Sequence, residues 1–502
     1  MHRIYFIALL FLFVHISSAQ KNNLTSDTKL AAAFDDYVKQ VLPRWQTPGI
    51  SIAVVKDGKI IFKKGYGLRE LGKPQPYTTA TLSTCASTTK AMTAVCIGML
   101  VDEGKIKWTD KVMDLLPAFR LADPYSSSEI TVLDLLTHNA GLGNADNLWV
   151  FGYSREEILQ RMQLMEPAYS LRSSFIYQNL MYIVAGQLIR AVSGKTWDEF
   201  IKERIFAAVG MNNTFADHAA INSGMDFTTP HFKDNDTVKV IPYLHTNNIG
   251  PAGGVWSCAD DMAKWLLCIL DSTKINGKRL LQPATYAMLF APHAIVPQDI
   301  YPTMDILKPH WITYGLGWFQ HDYRGKMIQF HTGSLAGLTA IAGLIPDEHF
   351  GIYIFGNLDH AELRHALMYK AFDLFAFNDN SSDWSDILFK HYGMLADTAK
   401  KREKEELAKR VLNTQPSLPL TGYTGKFKNK RLAEVAVVLK NNALILMMPN
   451  DISLSLQHWN YNSFRGHFNR WWFGNAWVQF LPDKEGKIQS IEIDGVGYYK
   501  TQ

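Results

Sequence analysis

The sequence predicts an α+β protein: an antiparallel sheet flanked by helices, as an α/β sandwich, with an all-helical subdomain and a small all-β, barrel-like domain after it. Strand patterns lie near both ends of residues 20–378, helical patterns fill the middle of that range, and short β-rich runs follow a charged helical segment. We therefore divide the 502 residues into a leader over 1–19, a first domain over 20–378, a helical linker over 379–412 and an all-β domain over 413–502.

The composition and the first residues predict an exported globular protein. With 47% hydrophobic and 20% charged residues the chain can bury a core. Its net charge of +4 is too small to indicate a nucleic-acid-binding surface. Residues 1–19 place Arg3 before an apolar run and end in Ser17-Ser18-Ala19, the layout of a secretory signal peptide. We expect a periplasmic or secreted protein with no stable membrane insertion and no nucleic-acid partner. Its partner would be a small molecule or a short peptide, and its oligomeric state stays open.

The first domain begins with the amphipathic helical pattern TKLAAAFDDYVKQVLPRW. The next stretch, ISIAVVKDGKIIFKKGYG, has Asp57-Gly58 between two β-rich runs, which predicts a hairpin. Helical patterns dominate from Ser87 to about Met211. Strand patterns return in MIQFHTGSLAGLTAIAGLIPDEHFGIYIFGN, and a last helix is predicted near HAELRHALMYKAFDLFAF. Strands from both ends of the domain are therefore expected to meet in one sheet.

The segment after the first domain is charged and then β-rich. The run DTAKKREKEELAKRVL, residues 397–412, is typical of a solvated connecting helix. Beyond it, short strand patterns are broken by turn residues, as in VAVVLKNNALILMMPNDISLSL, which predicts the all-β domain. The aromatic run HWNYNSFRGHFNRWWFGNAW is either core of that domain or a platform for a glycan or peptide.

The four cysteines of the chain do not form a recognisable framework. They are too few for a disulfide scaffold, and none shows the C-x-x-C spacing of a redox or zinc site. Free buried thiols and a single disulfide both stay open. The residues are Cys85, Cys96, Cys258 and Cys268.

Ser87 and Lys90 form an S-x-x-K motif at the head of the apolar run TKAMTAVCIGML. A serine hydroxyl needs a neighbouring base to act as a nucleophile, and a residue three positions further along a helix lies on the same face. About two such matches are expected by chance in a chain of this length. Ser18-x-x-Lys21 and Ser26-x-x-Lys29 also match, so a helix cap is the alternative interpretation of Ser87.

Two further motifs each occur once in the chain. Tyr177-Gln178-Asn179 stands immediately before an apolar helical pattern, and His331-Thr332-Gly333-Ser334 lies on a strand pattern. Taken alone, a tyrosine before a helix is consistent with core packing, and a Gly-Ser pair after a strand is consistent with a turn. Each of these two motifs therefore indicates a catalytic site only in combination with the S-x-x-K motif.

In the order S-x-x-K, Y-x-N, H-T-G, these motifs resemble the serine β-lactamase and penicillin-binding-protein superfamily, specifically its class C β-lactamase-like branch. The segments TVLDLLTHNAGL and GPAGGVWSCADDMAKWL are similar to two further stretches of that branch. The resemblance covers roughly residues 28–376, and the β-rich tail resembles the lipocalin-like domain often appended to such proteins.

The resemblance implies a serine hydrolase that forms a covalent acyl-enzyme on amide or ester bonds, with no metal and no other cofactor. Ser87 would be the acylated nucleophile and Lys90 its proton partner. Tyr177 would be the general base, with its phenolate favoured by Lys90. Asn179 would orient the substrate amide or Lys90, and the backbone N–H groups of Ser87 and Ser334 would form the oxyanion hole.

His331 stands where penicillin-directed members of the superfamily have a lysine that helps to bind the substrate carboxylate. An ordinary histidine is mostly neutral at pH 7 and gains charge toward pH 6. With Thr332 and Gly333 it would contact the substrate, and the change favours small esters, or amides and peptides of D-amino acids, including peptidoglycan-derived ones. A true class C-type β-lactamase and an inert penicillin-binding-like sensor are the alternatives. His138, in the T-H-N-A-G stretch, is expected to be structural.

Overall fold

The computed structural model describes residues 27–275, 277–359 and 362–501, and its first domain is built on one eight-stranded antiparallel sheet. The strands are β1 Gly49–Lys56, β2 Lys59–Gly67, β3 Ala294–Ile295, β4 Ile312–Tyr314, β5 Phe319–Tyr323, β6 Lys326–Leu335, β7 Leu338–Ile345 and β8 Phe350–Gly356. Their order across the sheet is β2-β1-β8-β7-β6-β5-β4-β3. The first hairpin thus pairs with the last strand, Ile50 opposite Gly356. The predicted sheet with strands from both ends of the domain is confirmed.

Helices cover both faces of this sheet. The longer helices are α1 27–45, α2 Thr89–Asp102, α3 Arg155–Met162, α4 Leu180–Ser193, α5 Ala259–Leu270, α6 Pro283–Phe290, α7 Leu363–Ala371 and α8 Trp384–Ala408. A further helix, Trp197–Ile201, continues through the π-turn Lys202–Phe206 into Ala207–Val209. Short strand pairs join Ser83–Thr84 to Trp256–Ser257, His231–Asp234 to Thr237–Val240, and Lys274–Ile275 to Lys278–Arg279.

Strand β1 contributes to two apolar cores. Ile52 and Val54 lie in the core that contains side chains of α1 and α7, whereas Ala53 and Val55 belong to the core that contains α2 and α4. Because successive side chains of a strand point to opposite faces, one buried strand can serve both layers. The result is the predicted α/β sandwich, with the helical subdomain on the face that carries α2.

The edge of the sheet formed by β3, β4 and β5 was not predicted from the sequence. These strands have only two, three and five residues, and prolines at 292, 297, 302 and 309 interrupt the pattern around the first two. Strand β5 pairs with the longer β6, with Phe319 opposite Phe330, and β4 and β3 are then added one after the other, with Tyr314 opposite Phe319 and Ala294. Successive pairing outward from β6, rather than local preference, therefore places them.

The second domain is a closed barrel of eight strands, which confirms the predicted all-β domain. The strands are β9 Gly425–Lys428, β10 Glu434–Lys440, β11 Ala443–Met447, β12 Ser453–Asn460, β13 Ser463–Phe468, β14 Asn475–Pro482, β15 Ile488–Ile493 and β16 Val496–Lys500. Helix α8 connects the two domains; it begins within the predicted linker and ends before the predicted limit at residue 412.

The barrel is packed against the first domain as well as tethered to it. Arg161 Nη1 donates to the carbonyl oxygens of Arg431 at 3.1 Å and of Leu432 at 3.0 Å. On the same side, Asn450 Nδ2 donates to the Val150 carbonyl oxygen at 2.8 Å. Buried residues of the barrel and of the helical subdomain form one continuous apolar core. The position of the barrel is therefore fixed by direct contacts.

Two sequence-based expectations concern the ends and the cysteines of the chain. The expected signal peptide, residues 1–19, lies outside the described residues. Among residues 27–275, 277–359 and 362–501, no helix has the length and apolarity to span a bilayer. All four cysteines are buried free thiols, which decides between the two alternatives that the sequence leaves open.

Candidate active site

Ser87 lies on a turn between the sheet and helix α2. The 3₁₀ turn Ala86–Thr88 leads directly into α2, and the Thr88 N–H donates to the Cys85 carbonyl oxygen at 3.1 Å. Ala86 has φ of 44°, in the left-handed region that few residues with a side chain occupy. Its N–H donates to Thr84 Oγ1 at 3.0 Å. This sharp turn leaves Ser87 partly exposed between neighbours that are buried.

Lys90 is completely buried directly behind Ser87. Its Nζ lies 2.7 Å from Asn179 Oδ1, 2.8 Å from the Ala252 carbonyl oxygen and 3.2 Å from Ser87 Oγ. Burial lowers the pKa of this lysine to about 7, and the charge of Asp146 opposes that shift. A neutral amine has two N–H groups, which the two carbonyl-type oxygens take up. As an ammonium, Lys90 donates to Ser87 Oγ as well, whereas in the neutral form its lone pair is free to accept the proton of the Ser87 hydroxyl.

Tyr177 lies beside this pair, but its hydroxyl is not engaged by Lys90. The hydroxyl is buried and has no hydrogen-bond partner among the described residues, while Lys90 Nζ lies 4.9 Å from the ring centroid. Burial raises the pKa of the phenol well above its usual value, and the nearby Ser87 hydroxyl offsets only part of this. Burial thus favours the protonated phenol in this structure, and the phenolate form, like the role of Tyr177 as general base, stays a prediction. A protonated phenol is suited to donate a proton.

Asn179 connects Lys90 to a carboxylate that the sequence did not single out. Its Oδ1 faces Lys90, and its Nδ2 lies 3.0 Å from both carboxylate oxygens of Asp146. The amide is thus fixed in the orientation that presents oxygen to the lysine. Asp146 sits in a loop 33 residues before Asn179, and only the fold brings the two together.

Strand β6 carries the H-T-G-S motif, but its histidine faces inward. The His331 imidazole is 1% exposed; Nδ1 donates to the Thr332 carbonyl oxygen at 2.7 Å, and Nε2 accepts from the Tyr314 hydroxyl at 3.0 Å. Burial, with Lys90 nearby, lowers its pKa to about 3. The expectation that His331 gains charge toward pH 6 is therefore wrong. Thr332 also points inward and shares a hydrogen bond with Tyr301 at 2.9 Å.

Gly333 and Ser334 bring β6 against the Ser87 turn. A Cβ atom on Gly333 would lie 2.3 Å from the Cys85 carbonyl oxygen, so only glycine allows this approach. Ser334 is exposed, and its Oγ accepts a hydrogen bond from Arg364 Nη1 at 2.9 Å. The same guanidinium donates to the Gly333 carbonyl oxygen. Arg364, which belongs to none of the sequence motifs, therefore holds the end of β6 through these hydrogen bonds.

His138 packs behind the tyrosine, as expected for a structural residue. It is 1% exposed, its ring centroid lies 4.4 Å from that of Tyr177, and its Nδ1 accepts from the Gln178 N–H at 3.4 Å. Burial lowers its pKa well below the usual value. In the described part of the chain, no three His, Cys, Asp or Glu side chains are placed to hold a metal ion.

The fold and the paired Ser87 and Lys90 are those of a serine hydrolase of the penicillin-recognising class. The Beta-lactamase family model matches residues 31–374, more than half of the chain, and the protein belongs to that family. A second model, Domain of unknown function (DUF3471), matches residues 409–501, the range that contains the barrel.

Curated relatives agree with this membership. The chain is 28% identical over 433 residues to unguisins hydrolase ungD' of Aspergillus campestris, covering 81% of this chain and 77% of that one. It is 23% identical to Protein flp of Staphylococcus aureus, covering 67% of this chain and 64% of flp.

Solved structures show the same fold. The octameric penicillin-binding protein homologue from Pyrococcus abyssi matches with a TM-score of 0.63 at 20% identity, covering 93% of this chain and 99% of its own. SurE with D-Leu matches with a TM-score of 0.55 at 16% identity, covering 95% and 100%. Both matches include the barrel as well as the first domain.

Proposed function

We propose that this protein is an exported serine hydrolase that forms an acyl-enzyme at Ser87. Its substrates would be amides or peptides of D-amino acids, peptidoglycan-derived ones among them, or small esters. The observation that carries the proposal is the environment of Lys90, a wholly buried amine with pKa about 7 and Nζ 3.2 Å from Ser87 Oγ. A buried lysine of this kind is a general base rather than a structural cation.

The chemistry follows from the residues around the serine. Lys90 takes the proton of Ser87 as its oxygen attacks the carbonyl carbon, and the N–H groups of Ser87 and Ser334 stabilise the oxyanion. The protonated Tyr177 donates to the leaving nitrogen or oxygen, and Lys90 returns its proton to the tyrosine. Water then attacks the acyl-enzyme by the same route and releases the product.

The substrate class is supported by the charge of the site. His331 is buried and neutral, and the Arg364 guanidinium is hydrogen-bonded to Gly333 and Ser334 of β6. Neither of these two side chains replaces the lysine that binds a β-lactam carboxylate. Relatives named as unguisins hydrolases support a hydrolase, and a structural neighbour solved with D-Leu supports a substrate that contains a D-amino acid. The β-lactamase alternative is disfavoured by the buried, neutral His331, and the inert sensor by the buried Lys90 beside Ser87.

Labelling with a fluorescent phosphonate tests the acyl-enzyme. Wild-type protein and Ser173→Ala, a control at an exposed serine, should be labelled, and mass spectrometry should place the adduct on the peptide that contains Ser87. Ser87→Ala should be unlabelled while keeping the thermal unfolding temperature of the wild type. Labelling at another serine would refute the proposal. Assays with D-amino-acid amides, p-nitrophenyl esters and nitrocefin would rank the substrates.

The proposed export is tested separately. Cells that produce the full chain should release it in a form whose first residue lies near Gln20, as amino-terminal sequencing would show. Protein that keeps Met1 and stays with the cytoplasmic fraction would rule export out without affecting the proposed chemistry.

A further inference from the structure

Helix α7 carries a buried arginine whose guanidinium is hydrogen-bonded to the end of strand β6. Arg364 is 6% exposed, and its Nη1 donates to the Gly333 carbonyl oxygen. The same nitrogen lies 2.9 Å from Ser334 Oγ and 3.3 Å from the Ala340 carbonyl oxygen of β7. Taking a charge out of water costs free energy unless the charge is paired. Other buried groups therefore have to compensate this cation.

Glu362 and His365 supply that compensation. One carboxylate oxygen of Glu362 lies 3.3 Å from Arg364 Nη2, the other is hydrogen-bonded to His365 Nδ1, and all three side chains are buried. Burial would raise the pKa of Glu362, but the charges of Arg364 and His365 hold it well below its usual value. The carboxylate is therefore ionised, and the guanidinium keeps a counter-ion beside β6.

The carbonyl group that Arg364 binds belongs to the same peptide group as the Ser334 N–H. In a trans peptide these two groups point in opposite directions. The guanidinium lies on the β7 side of β6, so the N–H faces the other side, where the pairing with β5 ends at Phe330. The close approach of Gly333 to the Ser87 turn places this peptide group beside the serine. Arg364 thus binds the back of the group whose N–H the proposed oxyanion hole uses.

A cation at the carbonyl oxygen of a peptide changes the donor at its other end. It draws electron density toward the oxygen and leaves the N–H more positive, since hydrogen bonds in a chain polarise one another. Charge-assisted hydrogen bonds are also about twice as strong as neutral ones, which helps to fix the plane of the peptide. The donor is then oriented and strengthened before negative charge develops on the substrate, and such preorganisation lowers the barrier.

We propose that Arg364 is a positioning residue of the oxyanion hole: it orients and polarises the peptide group between Gly333 and Ser334. Glu362 and His365 hold the guanidinium in place and balance its charge. The inference rests on the proposed function and adds to it three residues outside the sequence motifs. Because Arg364 does not touch the substrate in this role, its loss should affect kcat and the binding of tetrahedral inhibitors more than KM.

The double variant Arg364→Gln with Glu362→Gln tests this role, since it removes both charges and leaves neither ion of the pair alone. For a p-nitrophenyl ester we expect kcat to fall at least about tenfold, with KM changed by less than about threefold. Phenylboronic acid forms a tetrahedral adduct with a catalytic serine, and its affinity should fall by a similar factor. The infrared carbonyl band of the acyl-enzyme should move to higher wavenumber, because a weaker donor polarises that carbonyl less.

Lys370→Met is the matched control. Lys370 is a second buried cation of α7, 3% exposed, but its Nζ donates to the carbonyl oxygens of Asn380 at 3.1 Å and Ser382 at 2.8 Å, both outside β6. This variant should be less stable than the wild type. It should nevertheless keep the wild-type kcat, boronate affinity and carbonyl band.

Arg364→Ala allows a test by chemical rescue, because it leaves space for a guanidinium ion. Millimolar guanidinium chloride should restore part of the lost kcat, and sodium chloride at the same concentration should not. Equal kcat in the two salts contradicts the inference.

The remaining outcomes separate this inference from the proposed function. Wild-type kcat in the double variant, or a loss of kcat with an unchanged carbonyl band, overturns the role of Arg364. Neither result affects the proposed function while the phosphonate labels wild-type protein at Ser87. Absent labelling of the wild type refutes the proposed function itself.

Discussion

At the scale of single residues, the buried Lys90 is predicted to set the pH dependence of the proposed reaction. Its ammonium form cannot accept the proton of Ser87, and the pKa of about 7 separates the two forms. We therefore expect kcat/KM for a neutral ester to fall about tenfold per pH unit below pH 7 and to level off above it. The pKa values of His331 and His138 are lowered by burial, so neither histidine causes the decrease in kcat/KM below pH 7.

A variant tests whether Lys90 causes this decrease in kcat/KM. The decrease below pH 7 should persist in Tyr177→Phe, since the phenol stays protonated throughout this range. If kcat/KM of Tyr177→Phe no longer decreases below pH 7, the tyrosine rather than Lys90 is the base.

Tyr177 itself is predicted to act as a proton donor. Because its hydroxyl is buried and its pKa is raised, Tyr177→Phe removes an acid and leaves the base in place. The expected result is a loss of about a hundredfold in kcat for an amide, with KM little changed. For an activated p-nitrophenyl ester, whose leaving group needs no proton, the loss should be much smaller. Equal losses for both substrates would contradict a role in leaving-group protonation.

His331 is predicted to be insensitive to pH in the physiological range. With a pKa of about 3, only about one imidazole in a thousand is charged at pH 6. The ratio of kcat/KM for nitrocefin to that for a neutral ester should therefore stay constant between pH 5.5 and pH 8. Using a ratio cancels the titration of Lys90. A ratio that rises as the pH is lowered to 6 would show that a positive charge on His331 favours the anionic substrate.

At the scale of secondary-structure elements, the close approach of β6 to the Ser87 turn is the critical contact. Gly333→Ala would place its Cβ 2.3 Å from the Cys85 carbonyl oxygen and must push β6 away from Ser87. Since the proposed oxyanion hole uses N–H groups from both elements, we expect kcat to fall about a hundredfold.

A second glycine serves as the control for that change. Gly393 lies within α8, and a Cβ there meets no atom within 4 Å. Gly393→Ala should keep wild-type kcat and raise the free energy of unfolding by about 0.5–1 kcal/mol. Wild-type activity in Gly333→Ala would show that β6 does not complete the oxyanion hole.

Elements whose own residues form a recognisable pattern could be predicted from the sequence. Contacts between residues that are distant in the sequence could not. Asp57-Gly58 predicts the first hairpin because both residues tolerate positive φ, and they adopt 48° and 73°. Asp146 carries no comparable signal, since its contact with Asn179 depends on two loops meeting in space. The motif likewise locates His331 but not its burial, which depends on how β6 faces the helical layer.

At the scale of the whole molecule, the shared apolar core predicts cooperative unfolding. The barrel and the helical subdomain contribute to one buried cluster, and Arg161 joins them through two backbone carbonyls. Calorimetry of the wild type should therefore show one transition, and Arg161→Ala should separate a barrel transition from it. Arg190→Ala, which removes an exposed ion pair with Glu156, should leave a single transition. Two transitions in the wild type would contradict this coupling.

The pairing of β1 with β8 has a consequence for how the chain is made. Ile50 meets Gly356 only after 306 further residues have been added. At a synthesis rate of about 5–20 residues per second, the first hairpin waits roughly 15–60 s for its neighbour. During that time the apolar strand GISIAVVK presents an unpaired edge, which favours association with other chains. We therefore expect the nascent protein to need a chaperone, or to stay unfolded, until the last strand of the sheet has emerged.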